Sequence, residues 1–267
     1  MDNRPIGIYD SGIGGLTGLK ALRRLLPGED LVFFADTGRM PYGPRSREEL
    51  CRIAGQDMDF LASFGVKAIL AACGTISSAA RPVLESYPIP AFGVLAPAVE
   101  AMAALPGERP LAVLATAASI ESGQFTDPLR ARCPGREIIG LACPEFAPMI
   151  EAGHIDREDA VLTAAAEKAL APLRGRAPDA VLLGCTHYGI IEEAIRDVLG
   201  DVPLLSAADC GARALREKLV RDGLCADRNA GTARFFISCE PSHFNAFASR
   251  YLEMGPVHAE QTALMEL

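Results

Sequence analysis

Short apolar runs alternate along the chain with stretches whose apolar positions recur at helical spacing. Pro5–Tyr9 reads as a buried strand. Gly15–Leu26 follows it as a helix, with leucines at 16, 19, 22 and 26 on one face. Leu31–Ala35 is a second strand. Ser46–Phe64 is a helix opened by Ser46 as N-cap, with Glu49 three residues on as the partner of a capping box. Lys67–Ala72 and Thr75–Tyr87 complete another strand and helix. The rhythm then repeats. Strands are predicted at Leu111–Ala115, Glu137–Leu141, Ala180–Leu183, Val202–Leu205 and Arg234–Ser238. Helices are predicted at Ser119–Arg132, Arg157–Leu173, Tyr188–Leu199, Ala207–Arg221 and His243–Leu252. Such alternation predicts an α/β fold with mostly parallel sheets.

Leu95–Pro97 ends the first set of units, and a Pro106-Gly107 turn precedes the second. After Ser206 too few elements remain for a third domain, so they are expected to return to the first. The predicted organisation is two similar α/β domains, 1–95 plus 206–267 and 96–205, with a site in the cleft between them.

An internal likeness links the two halves. Lys67-Ala-Ile-Leu-Ala-Ala-Cys73-Gly-Thr75 and Asp179-Ala-Val-Leu-Leu-Gly-Cys185-Thr-His187 share one pattern. Each is an apolar strand that ends in a small residue, then a cysteine, then hydroxyl-bearing or polar residues at a helix start. Ligands of open α/β sheets bind at the carboxyl ends of strands. Two such halves face to face put two thiols across one cleft. A single strand-end cysteine is by default an inert buried thiol. Two matched ones fit proton transfer on opposite faces of a substrate, because thiols tune readily toward working pH. The positive end of each following helix is expected to favour the thiolate. If the first and third strands are neighbours, Asp10 lies close to Cys73, where a carboxylate could accept or relay the thiol's proton. His187 stands two residues past Cys185 and could do the same for that thiol.

Composition narrows the field. The chain has 267 residues, 49% of them apolar and 22% charged, enough for two packed cores. A net charge of −8 gives no electrostatic reason for a nucleic acid or an anionic membrane as partner. No run resembles a signal-peptide core or a membrane span, so a cytoplasmic protein is expected. Eight cysteines without a CxxC pair do not read as a disulfide framework or a zinc site. The turn Asp10-Ser11-Gly12-Ile13-Gly14-Gly15 lacks the dinucleotide spacing but could cradle an anion.

These residues resemble the glutamate racemases of the Asp/Glu racemase superfamily over nearly the whole length. The likeness runs through Ile6–Thr17, Ala35-Asp36-Thr37, Pro41-Tyr42-Gly43-Pro44, Ala72-Cys73-x-Thr75, Pro148–Glu151 and Leu183–Tyr188. The resemblance implies two α/β domains around a buried site, with no cofactor and no metal. It implies that Cys73 deprotonates D-glutamate and Cys185 deprotonates L-glutamate. Asp10 and His187 would assist the respective thiols, and Glu151 matches a carboxylate that assists in some members. Substrate contacts are expected from Asp10, Ser11, Pro41, Tyr42, Gly43, Cys73, Gly74, Thr75, Thr186 and His187. The product D-glutamate would feed peptidoglycan synthesis, and a homodimer is expected.

Two positions depart from the pattern. Gly74 stands where the family usually has Asn, and Gly189 where Pro is expected after Tyr188. Ser77, Ser78 or a bridging water are the expected replacements for the missing amide, and restoring Asn at 74 should tighten binding if its φ is negative and damage the site if it is positive. The other readings of the chain are an aspartate or broader amino-acid racemase, and a binding protein that kept the fold.

Overall fold

The computed structural model describes residues 1–262; the last positions of the expected first domain, 263–267, lie outside the described residues. Ten strands form two sheets: β1 (Ile6–Asp10), β2 (Leu31–Ala35), β3 (Ala68–Ala71), β4 (Ala91–Gly93), β5 (Leu111–Ala115), β6 (Ile138–Ala142), β7 (Ala180–Leu183), β8 (Leu204–Ser206), β9 (Ala233–Ile237) and β10 (Ala259–Gln261). One sheet runs β10-β9-β2-β1-β3-β4 and the other β6-β5-β7-β8. Every strand pairing among the described residues is parallel. The four-strand order of the second sheet repeats the β2-β1-β3-β4 order within the first. β3 and β7, the strands that carry the two cysteines, therefore occupy equivalent places.

The central strands are apolar on both faces because helices cover both. β1, β2, β3, β5 and β7 are buried at every position. One face of the first sheet, with Tyr9, Val32, Phe34 and Ile69, packs under the helices Arg47–Ala62 and Arg81–Ser86. The other face, with Ile6, Ile8, Phe33 and Leu70, joins a core that continues into the second sheet. The helices Leu16–Leu25, Ala207–Arg221 and Leu95–Ala103 pack on one another where that core passes between the sheets.

Several predicted elements differ in detail. The expected helix Thr75–Tyr87 is two helices, Gly74–Ala79 and Arg81–Ser86, split where Pro82 can only sit in a first turn. Ser119–Arg132 divides into Ala117–Glu121 and Thr126–Arg132 around Gly123, whose φ is +66°. The short edge strands β4 and β10 and the helices Leu95–Ala103 and Phe146–Glu151 lack a sequence period long enough to announce them. Leu95–Pro97, the expected edge of the first set of units, forms the first turn of a helix, where proline loses no hydrogen bond.

The capping box at Ser46 forms in full. Its hydroxyl accepts from the Glu49 amide at 3.2 Å, and the Glu49 carboxylate accepts from the Ser46 amide at 2.9 Å. Ser46→Ala should cost about 1 kcal/mol, which lowers the melting temperature by roughly 2–4 °C. An unchanged melting temperature would show that this helix end is frayed in solution.

Candidate active site

The carboxyl ends of β1, β3, β5 and β7 converge on one cavity of about 610 Å³, within the ordinary range for small-ligand sites. All twelve sequence-predicted site residues line it: Asp10, Ser11, Pro41, Tyr42, Gly43, Cys73, Gly74, Thr75, Glu151, Cys185, Thr186 and His187. Thr116 and Ser119 line it as well. They follow β5 at its carboxyl end, so the rule that singled out the cysteines could have found them.

Cys73 is the residue before the helix Gly74–Ala79 and is buried. Burial, with the neighbouring charge of Asp10, pushes its thiol up to about 12. The amides of Ile76 and Thr75 draw it down, as expected at a helix start, but desolvation outweighs them. The helix end does favour the thiolate, as expected, but it does not set the balance at Cys73. Asp10 does not hydrogen-bond the thiol directly. Ser11 stands between them, its hydroxyl donating to Asp10 Oδ1 at 3.1 Å and lying 4.0 Å from Cys73 Sγ.

Cys185 precedes a short 3₁₀ turn, Thr186–Gly189. Its Sγ lies 3.8 Å from His187 Nδ1, and His187 Nε2 lies 2.7 Å from Glu151 Oε1. Burial opposes charge on this imidazole, but Cys185 and Glu151 outweigh it and hold His187 well above its usual range. Glu151 comes from the helix Phe146–Glu151, and its Oε1 also accepts from the Ile13 amide at 3.4 Å. An unpredicted helix therefore delivers a predicted carboxylate.

Asp10 is fully buried at the meeting point of the halves. Its Oδ2 accepts from Thr186 Oγ1 at 2.9 Å, and its Oδ1 accepts from the Gly12 amide at 3.2 Å. Burial raises its carboxyl above the ordinary value, and His187, Thr186, Ser11 and Gly12 pull it back. The approach is close enough that a Cβ on Gly14 would collide with Thr186 Oγ1 and the His187 ring. Opposite, the Pro41–Pro44 segment forms a wall in which Tyr42 is buried, its hydroxyl turned to Asp36 and Asp57.

Gly74 does not have a positive φ, so its backbone accepts a side chain. The obstacle is space, since a Cβ there would lie 2.9 Å from the carbonyl oxygen of Gly184 in the other half. Ser77 does not replace the missing amide. Its hydroxyl bonds the Cys73 carbonyl at 2.8 Å and the Val94 amide at 2.9 Å. Neither Ser77 nor Ser78 lines the cavity. Gly189, the second departure, lies against Thr17 and Ser206. Among the described residues no group of three or more His, Cys, Asp or Glu is placed to hold a metal ion, and no helix is long and apolar enough to cross a membrane.

Residues 20–215 match the family Asp/Glu/Hydantoin racemase. A glutamate racemase of Levilactobacillus brevis is 36% identical, with 100% of this chain and 98% of the relative covered. One of Thermus thermophilus is 40% identical, with 92% and 91% covered. The crystal structure of glutamate racemase from Francisella tularensis, in complex with D-glutamate, superposes with a TM-score of 0.87 at 34% identity over 99% of each chain. The chain belongs to the Asp/Glu/Hydantoin racemase family. Within it the protein stands among the glutamate racemases, as an isomerase of the amino-acid racemase class.

Two outcomes follow from the geometry. Gly74→Asn and Gly74→Ala should both raise KM, because the added Cβ meets a backbone oxygen of the opposite half and overpacking costs about 1–3 kcal/mol. A lowered KM in the Asn variant would show that the halves separate without penalty. Second, a thiol pushed up to about 12 should be alkylated at Cys73 with a rate that climbs tenfold per pH unit through pH 9. The sign follows from the neutral form being favoured: the reactive thiolate grows with pH until the raised value is reached. A plateau below pH 9, followed by mass spectrometry of the Cys73 peptide, would contradict the desolvated thiol.

Proposed function

We propose that the cavity interconverts L-glutamate and D-glutamate, with Cys73 and Cys185 as paired acid and base and no cofactor. The observation that carries the reading is the pair of thiols at equivalent strand ends, lining one cavity, each with its own proton partners. One thiolate takes the α-proton from one face of the substrate and becomes a thiol. The opposite thiol gives a proton to the other face and becomes a thiolate. Nothing is gained or lost, and the reverse direction uses the same groups with exchanged roles.

The two surroundings set the starting roles. His187 Nδ1 stands beside the Cys185 sulfur with Glu151 behind it, so Cys185 has a partner that can take up or return its proton. Burial keeps Cys73 protonated, which suits it to deliver the acid's proton. That arrangement serves the L-to-D direction, with Cys185 facing L-glutamate. For the reverse direction Cys73 must lose its proton, and Cys185 must gain one, for which His187 is the adjacent donor. The substrate's own α-ammonium supplies a positive charge that lowers the thiol, and Ser11 links it to Asp10 as the outlet. Thr75 offers a hydroxyl, and Tyr42, Gly43 and Gly74 offer backbone N–H groups, to the substrate carboxylates, while Ser11 and Thr186, whose hydrogens go to Asp10, offer oxygens to the α-ammonium. The D-glutamate would supply peptidoglycan synthesis in the cytoplasm, a reading that rests on the family resemblance.

The experiment is to follow optical rotation of L- and D-glutamate, with aspartate as the counter-substrate. Cys73→Ala and Cys185→Ala should each lose racemisation in both directions, by at least about 10²–10⁴-fold. In D₂O the wild-type product should carry deuterium at the α-carbon. A variant lacking either sulfur that racemises at near wild-type rate would refute the two-thiol mechanism. Faster turnover of aspartate would refute the choice of substrate.

A further inference from the structure

Beneath the Pro41–Pro44 wall lies a buried polar cluster that the proton transfers do not touch. Asp36 follows β2, and Asp57 comes from the helix Arg47–Ala62; both are fully buried. Arg39 joins them, donating through Nε to Asp36 Oδ2 at 2.6 Å and through Nη2 to Asp57 Oδ1 at 2.5 Å. Its Nη1 donates to Gln56 Oε1. Arg45 donates twice to the Arg39 carbonyl, at 2.9 and 2.7 Å, and closes the segment on itself. Tyr42 Oη then lies 2.5 Å from Asp36 Oδ2 and 3.1 Å from Asp57 Oδ2.

A count of hydrogens decides the protonation. The phenol has one hydrogen, and the shorter contact to Asp36 takes it. The 3.1 Å contact to Asp57 then sets oxygen against oxygen, unless Asp57 itself carries a hydrogen. The count of charges agrees. Among the described residues Arg39 is the one cation paired with either carboxylate, so two ionised acids would leave a net negative charge out of water. Arg45, a second cation, is engaged by the Arg39 carbonyl and pairs with neither carboxylate; the buried Tyr9 hydroxyl, which has no partner, and the Cys73 thiol are neutral.

We infer that Asp57 is held as the neutral acid, that it donates to Tyr42 Oη while Tyr42 donates to Asp36, and that this chain positions the Tyr42–Gly43 wall of the substrate cavity. Burial and the charge of Asp36 push the Asp57 carboxyl well above the usual range, and Arg39 and Tyr42 only partly oppose them. Burial likewise keeps the hydrogen on the phenol. Asp57 is thus a positioning residue that acts on the wall through Tyr42. Its kinetic consequence rests on the reading of the cavity as a glutamate site, whereas the proton itself does not.

Two measurements test the inference separately. Infrared difference spectra of wild type against Asp57→Asn at neutral pH should contain the carbonyl stretch of a protonated carboxylic acid, present in wild type and lost in the variant. In kinetics, Asp57→Asn should keep KM for glutamate within about threefold, because its amide nitrogen donates where the acid did. Asp57→Leu should raise KM roughly five- to tenfold, the worth of a lost hydrogen bond, with a smaller change in kcat. Melting temperatures recorded alongside separate a displaced wall from an unfolded protein. Absence of the acid band in wild type would overturn the inference. So would a band that survives Asp57→Asn and vanishes in Asp36→Asn, or equal KM increases in the Asn and Leu variants. A wild type that fails to racemise glutamate would sink the reading of the cavity, and the infrared result would still decide the proton.

Discussion

The hydrogen bond from Thr186 Oγ1 to Asp10 Oδ2 ties the carboxyl end of β1 to the turn after β7. It is buried, and it joins the end of a strand in the first sheet to the cysteine-bearing turn of the second. Without it a carboxylate oxygen would be left unsatisfied out of water, at a cost of about 1–3 kcal/mol. Its geometry depends on a side chain being absent at Gly14, since a Cβ would occupy the space of Thr186 and His187. The same contact sets the environment of both thiols. Asp10 reaches Cys73 through Ser11, while the turn that carries Thr186 also carries Cys185 and His187. One interaction therefore fixes the two cysteine-bearing turns, which come from opposite halves, relative to each other.

The repeat in the topology explains why the sequence was so informative at the site. Strands β3 and β7 hold equivalent places in sheets of the same order, so two similar peptides, Lys67–Thr75 and Asp179–His187, come to face one cavity. The pattern legible in the chain was the apolar strand and the residue at its end, and parallel sheets place such ends on one side. Strand cores were legible for the same reason. Leu31–Ala35, Leu111–Ala115 and Ala180–Leu183 are uninterrupted apolar runs, and the strands coincide with them.

What the chain did not disclose depends on distance in space. Three-residue edge strands such as β4 and β10 have no period to read, and the break at Gly123 depends on a single backbone angle. Ser77 carries a hydroxyl in the expected place, yet the Cys73 carbonyl and the Val94 amide claim it before any ligand can. Asp57 gave no signal at all. It lies mid-helix among Gln56, Met58 and Asp59, and only its closeness to Asp36, Arg39 and Tyr42 makes it more than a surface acid. Backbone proximity across the cleft was equally hidden. Gly74 reads as a missing amide in sequence, but in space it is what admits the Gly184 carbonyl.

The two thiols show how far identical chemistry can be separated by surroundings. Both follow parallel strands and both open a helical turn, so helix polarity alone would treat them alike. Desolvation breaks the equivalence at Cys73, where the amides of Thr75 and Ile76 do not make up for lost water and a nearby carboxylate. Cys185 is less deeply buried and has an imidazole that Glu151 helps to keep charged. A symmetric pair of bases would have no preferred starting state, and both sulfurs could be left in the same form. An asymmetric pair begins with one proton to give and one place to receive it. On the proposed reading, a glutamate bringing an ammonium and two carboxylates into the cavity lined by Asp10 and His187 would be the charge that lets the assignment reverse.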